Sequence, residues 1–266
     1  MAPIVEVESA VGAERADAHV QSLGRGLSVI EAFDAENEAM TLSDVARRTG
    51  LTRATARRFL LTLVDLGYMR TDGRLFSLTP QVLRLGHAYL SAMGLPQIAQ
   101  PHLADLSAEL GESVSVAILD GTDIVYVARV ATRRIMTVGI TVGTRFPAYA
   151  TSMGRVLLGA LAEPRFDDVL KRSDLRALTE RTIVDPTELR AELGRVREQG
   201  FSLVDQEMEV GLRSLAAPLL GADGTVTAAI NVSTQVGLSD THLIDHHLAA
   251  LLRTAAAISS DLNARR

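Results

Sequence analysis

Arginine supplies almost all the positive charge of this 266-residue chain: of 27 Lys and Arg residues, Lys171 is the only Lys. Arg47, Arg48, Arg53, Arg57, Arg58, Arg70, Arg74 and Arg84 fall within residues 47–84, where only Asp65 and Asp72 oppose them. That window carries +6, whereas the whole chain carries −5, which leaves −11 for everything else. A guanidinium offers a planar fork of donors that suits phosphate and the edge of guanine. Concentrated on one segment of an acidic chain, it is the electrostatic footprint of a polyanion partner. Thr52, Arg53, Thr55, Arg57 and Arg58 sit closest together, and Thr can touch a thymine methyl or a phosphate. The competing reading is a solvated helix face whose arginines pair with the acidic remainder.

Other chemistries find little support. There is no Cys, which excludes thiol nucleophiles, Cys-ligated zinc, Fe–S clusters and disulfides. A phosphate-binding P-loop needs Gly-Lys-Ser/Thr, but Lys171 follows Leu170. Gly24-Arg25-Gly26 begins a dinucleotide fingerprint that fails at Val29, and no strand precedes it. Ser152, within Ala150-Thr151-Ser152-Met153-Gly154, is not in a G-x-S-x-G elbow. His242 and His246 have the spacing of one helix face, with His247 beside them, but no H-E-x-x-H accompanies them. No cofactor and no metal are expected.

The elements that must position the arginines follow from periodicity and caps. Residues 21–34 carry one apolar stripe, and Glu36-Asn37-Glu38 breaks it. Thr41 or Ser43 can cap a helix whose Val45 and Ala46 face inward and which Gly50 ends. Thr52 caps a third helix, Arg53 to Leu66, closed by Gly67, with Ala56, Phe59, Leu60, Leu63 and Leu66 inward. Helix, short turn with Gly, helix is a helix-turn-helix pattern. Tyr68–Arg70 and Leu75–Leu78 flank Asp72-Gly73 as a hairpin, the wing of a winged helix, carrying Arg70 and Arg74. Pro80 opens a helix to about residue 93 with Val82, Leu83, Leu85 and Leu90 on one face.

Past Gly94 and Pro96 the pattern becomes mixed. Helices are expected at 98–110, 154–161, within 163–199 and at 239–263. Strands are expected at 113–118, 123–130, 135–142, 201–204, 214–220 and 225–233. The fold class is therefore α+β, with an antiparallel-rich sheet in the second domain. The expected organisation is a mobile tail (1–20), a winged helix-turn-helix domain (21–80), a linker helix (81–95) and an effector-binding domain (96–266). No secretory signal and no run of 18 apolar residues appears, so the expected location is the cytoplasm, with no membrane partner.

Three stretches of the first domain resemble the DNA-binding domain of the IclR family of bacterial regulators: Ser22–Leu27, Leu42–Ala46 and Gly50–Leu60. Gly143-Thr-Arg-Phe-Pro-Ala-Tyr-Ala-Thr-Ser-Met-Gly-Arg155 is similar to the family's effector-domain loop, and Asp205–Gly211 with Ser214–Leu219 to a later segment lining the same pocket. Tyr149 stands where many members have His. The form of this loop resembles the PcaR, PobR and PcaU branch, which controls protocatechuate and 4-hydroxybenzoate catabolism through the β-ketoadipate pathway.

The resemblance implies a winged helix-turn-helix, a linker helix and a GAF-like effector domain, in a homodimer or homotetramer on double-stranded operator DNA. It implies DNA contacts from Ser43, Thr52, Arg53, Thr55, Arg57, Arg58, Arg70 and Arg74. A small organic acid, aromatic or keto, would meet Arg145, Tyr149, Thr151, Ser152, Met153, Gly154, Asp205, Glu207, Ser214, Ala216, Asn231 and Ser233. Arg133 and Arg134 are further candidate donors to its carboxylate. The alternative is a small-molecule-processing enzyme with a dimerising N-terminal domain, which would need a nucleophile or base in that pocket.

Overall fold

A computed structural model describes residues 20–132, 139–237 and 243–264. It divides into an N-terminal unit ending at Tyr89 and a C-terminal unit beginning at Leu90. The tail expected at 1–20 lies outside the described residues except for Val20.

In the N-terminal unit, α1 (Gln21–Glu31) precedes β1 (Ala39–Thr41), α2 (Leu42–Thr49) and α3 (Arg53–Asp65). Thr41, not Ser43, caps α2. Its hydroxyl accepts the Asp44 N–H at 3.3 Å, and the Asp44 carboxylate accepts the Thr41 N–H at 3.2 Å and its hydroxyl at 2.7 Å. Gly50, at φ +67°, supplies the left-handed turn between α2 and α3. Ala56, Leu60 and Leu63 of α3 are buried as their spacing requires, whereas Leu66 falls past the helix end and is exposed. Leu60 and Leu63 close on Val29, Phe33, Met40, Val45, Met69 and Phe76.

β2 (Met69–Thr71) and β3 (Leu75–Leu78) form the expected hairpin, and β1 joins it to give a three-stranded antiparallel sheet in the order β1-β3-β2. Sequence reading leaves β1 as loop, since three residues are too few to display a period of two. A 3₁₀ turn, Pro80–Val82, leads into α4 (Leu83–Met93), none of whose side chains is buried.

The C-terminal unit is α+β. A six-stranded antiparallel sheet runs β6-β5-β4-β9-β8-β7. Its strands are β4 (Ser113–Asp120), β5 (Asp123–Val130), β6 (Arg145–Pro147), β7 (Ser202–Asp205), β8 (Leu212–Leu220) and β9 (Val226–Gln235). One face buries Val116, Leu215, Leu219 and Ile230 against α5 (Leu95–Leu110) and the terminal α9 (Ala249–Ala264). The other buries Ala117, Ile124, Tyr126, Ala216 and Ala229 against α6 (Ser152–Gly159). Helices α7 (Glu163–Arg172) and α8 (Pro186–Gln199) add Phe166, Val169, Leu189 and Leu193 to that core. Each fully buried Leu contributes about 1.5–3 kcal/mol, so α6 is held firmly on the sheet.

Of the strand expected at 135–142, residues 135–138 lie outside the described residues and 139–142 are not strand. Arg145–Pro147 pairs with β5, Val125 opposite Arg145. The described part of the terminal helix opens on a π-helical stretch, Leu243–Leu248; residues 239–242, where the helix was expected to start, lie outside the described residues.

Candidate functional site

The first surface is built on α3. Thr52 caps it, accepting the Thr55 N–H at 3.2 Å while its own hydroxyl donates to the Thr55 hydroxyl at 2.9 Å. Both threonines are thereby engaged in setting the helix start. Arg53, Arg57 and Arg58 are exposed on its first turns. Among the described residues none of the three makes an ion pair, whereas Arg47 pairs with Asp44 and Arg48 with Asp34, each at 2.7 Å. The pairing expected of an ordinary solvated face therefore holds for α2 and not for α3. Ser43 is exposed on the first turn of α2.

The wing is pinned by Asp72, whose carboxylate accepts the Arg74 N–H at 2.8 Å and the Leu75 N–H at 2.7 Å. These two bonds hold the Asp72 carboxyl below its ordinary range. Arg70 and Arg74 project exposed from this hairpin, again without an ion-pair partner among the described residues. Five unneutralised guanidiniums thus share one helix start and one hairpin.

The second site is a tight recess in the C-terminal unit, with a cavity volume of about 20 Å³. It is lined by Tyr126, Phe146, Ala150, Thr151, Ser152, Met153, Val204, Met208, Leu212, Ser214, Asn231 and Ser233. Tyr126 and Phe146 meet edge to face with centroids 5.9 Å apart. Opposite them lies a hydroxyl and amide cluster. The Ser152 and Ser214 hydroxyls are 2.8 Å apart, and the Asn231 amide donates to Ser214 and Ser233 at 3.0 Å each. The Asn231 Oδ1 is buried with no hydrogen-bond partner among the described residues. Burial raises the Tyr126 phenol to about 12, so it remains a neutral hydroxyl.

Thr151, Ser152, Met153, Ser214, Asn231 and Ser233 of the expected effector residues reach this recess. The others do not, and the structure shows what most of them do instead. Arg145 forks onto Asp120 at 2.6 Å and Asp123 at 3.3 Å. The Tyr149 hydroxyl donates to the Arg176 carbonyl at 2.7 Å and accepts its N–H at 3.0 Å. Gly154 serves by having no side chain, since a Cβ there would stand 2.1 Å from the Ala148 carbonyl oxygen. Asp205 pairs with Arg181 and, at 3.3 Å, with Arg213. Glu207 is buried against Arg155 at 2.5 Å and accepts the Ile183 N–H at 3.0 Å. Ala216 packs into the core beneath α6. Arg133 and Arg134 lie outside the described residues.

Sequence reading misses Tyr126, Phe146, Val204, Met208 and Leu212. The aromatics left a usable signal, since the chain has only six Phe and four Tyr, and two of these ten line the recess. His246 and His247 meet edge to face at 5.7 Å, while His242 lies outside the described residues. Among the described residues no cluster of His, Asp and Glu is arranged to hold a metal, and no helix is long and apolar enough to cross a membrane.

Comparison with known proteins places both sites in context. Residues 22–73 match the IclR helix-turn-helix domain, and residues 87–260 match the bacterial transcriptional regulator IclR C-terminal domain. The Pca regulon regulatory protein of Pseudomonas putida is 50% identical over 217 residues, covering 81% of this chain and 75% of that protein. A transcriptional regulator from Rhodococcus sp. RHA1 superposes with a TM-score of 0.83 at 57% identity, covering 92% of this chain and 98% of its own. An IclR homolog from Microbacterium hydrocarbonoxydans, solved in complex with 4-hydroxybenzoate, gives a TM-score of 0.81 at 25% identity, covering 91% and 98%.

Proposed function

The chain belongs to the IclR family of bacterial transcriptional regulators, and on that premise we propose that it controls genes of aromatic-acid catabolism in response to an acid of the β-ketoadipate pathway, such as protocatechuate or 4-hydroxybenzoate. Members of this family regulate transcription and are not enzymes. The observation that carries the ligand reading is the division of the recess: Tyr126 and Phe146 on β5 and β6, and the polar groups of Ser152, Ser214, Asn231 and Ser233 across from them. An aromatic ring suits the first and its polar substituents the second. The relatives support the same class, one named for the Pca regulon and one holding 4-hydroxybenzoate.

On the DNA side, α3 enters the major groove with Arg53, Thr55, Arg57 and Arg58 toward base edges and phosphates. Thr52 and Ser43 lie at helix starts, where phosphate contacts are made. Arg70 and Arg74 on the wing meet the backbone or the minor groove. The protein works in the cytoplasm as a homodimer or homotetramer. The exposed Leu83, Leu85 and Tyr89 of α4, the linker helix, supply the dimer contact. The effector acts by binding unequally to the DNA-competent and DNA-incompetent states.

The test combines thermal shift with footprinting upstream of the neighbouring operon, using protocatechuate, 4-hydroxybenzoate and β-ketoadipate. A true effector at about 100 times its Kd stabilises the protein by about 2.7 kcal/mol and alters the footprint. No shift with any of the three removes the pathway assignment and leaves the family membership standing.

A further inference from the structure

The acids proposed above carry a carboxylate, yet among the described residues no arginine lines the recess. Arginines elsewhere in the C-terminal unit are largely committed: Arg145 to Asp120, Arg155 to Glu207, Arg213 to Asp205. Arg129 differs. Its side chain is half-buried on β5, and its guanidinium donates to the Ser115 hydroxyl at 2.8 Å. Its Nε is buried without an acceptor, and no carboxylate pairs with it among the described residues. Burial pushes this guanidinium below its ordinary pKa, because its charge is poorly compensated.

The strand register says where this charge sits. Arg129 is opposite Ser115, and Ser115 is opposite Asn231. Residues directly opposite on antiparallel strands share a sheet face, with Cβ atoms roughly 4.5–5.5 Å apart. That face is the recess side, because alternation puts Val114 and Val116 in the opposite core and Ala117 in the α6 core. A polar row, Arg129–Ser115–Asn231, therefore runs across the sheet and ends at an Asn that lines the recess and has an unpartnered Oδ1.

We propose that Arg129 is the cation that anchors the effector's carboxylate, and so selects acids over neutral aromatics of the same shape. This deepens the reading of the recess as an effector pocket and rests on it. An incoming carboxylate would accept from the guanidinium as a charge-assisted pair. The ring would extend from there along β5 toward Tyr126 and, on neighbouring β6, Phe146, with Asn231 two strands away on β9.

The experiment is calorimetric titration of the full chain and of Arg129→Met, Arg129→Gln and Arg129→Lys with 4-hydroxybenzoate, protocatechuate and 4-hydroxybenzamide. The unsubstituted protein should prefer 4-hydroxybenzoate to its amide by on the order of tenfold or more, the margin of a charge-assisted bond over a neutral one. Arg129→Met should abolish that preference by weakening the acid alone, and Arg129→Lys should keep part of it. Arg129→Gln repeats the measurement with a polar side chain should the Met variant fail to fold. An equal loss for acid and amide, or an undiminished acid preference, overturns the assignment while leaving the effector pocket intact. Failure of the unsubstituted protein to bind any of the three overturns the pocket reading and this proposal together.

Discussion

At the scale of single residues, Arg155 and Glu207 show what spacing along a chain cannot reveal. Arg155 is 1% exposed, donates its Nε–H to the Tyr149 carbonyl at 3.0 Å, and pairs with a carboxylate 52 positions away. Sequence reading places Glu207 among the effector ligands, because nothing local announces so distant a partner. Removing one member of a buried pair leaves the other charge uncompensated, at a cost of about 3–5 kcal/mol. Arg155→Met should lose that much in urea denaturation, and Arg155→Met with Glu207→Leu should recover most of it. A smaller loss in the single than in the double variant contradicts this account.

Tyr126 makes a pH prediction. With its phenol raised to about 12, the folded protein keeps a proton that the unfolded chain, with an ordinary pKa near 10, releases. Stability from this group is full below pH 10 and declines as pH rises from 10 to 12, by roughly 2–3 kcal/mol in all. Tyr126→Phe should flatten that part of the pH profile.

At the scale of elements, the DNA-facing parts were legible and the pocket-facing parts only partly so. The third helix and the hairpin announce themselves through local chemistry: a Thr cap, a Gly in a left-handed turn, and an Asp whose carboxylate gathers two N–H groups. β1 and β6 have three residues each and owe their existence to partners far along the chain, Phe76 and Ile124 among them. The recess needs five strands (β5 to β9) and one helix in register, which no window of sequence contains. If α3 reads bases and the wing holds phosphate, their arginines must fail differently. Arg57→Ala should cost about 1–3 kcal/mol on the operator and little on unrelated DNA. Arg74→Ala should weaken both alike and reduce the salt slope by about one. Identical behaviour of the two variants in filter binding across salt would refute the division of labour.

At the scale of the whole molecule, the chain's net charge of −5 conceals its organisation. The +6 of residues 47–84 is opposed by −11 elsewhere, so the proposed docking through that segment is the one that charge favours. Log affinity should fall linearly with log salt, by about 0.9 for each phosphate neutralised; a flat response would remove the basic surface from the account.

Lys171, exposed on the last turn of α7, is the chain's sole lysine side chain. The cations of the DNA-facing surface are therefore all guanidiniums, and enzymes that acylate lysine amines have nothing there to silence. A dye coupled to Lys171 would report on the C-terminal unit and leave the reading helix chemically untouched.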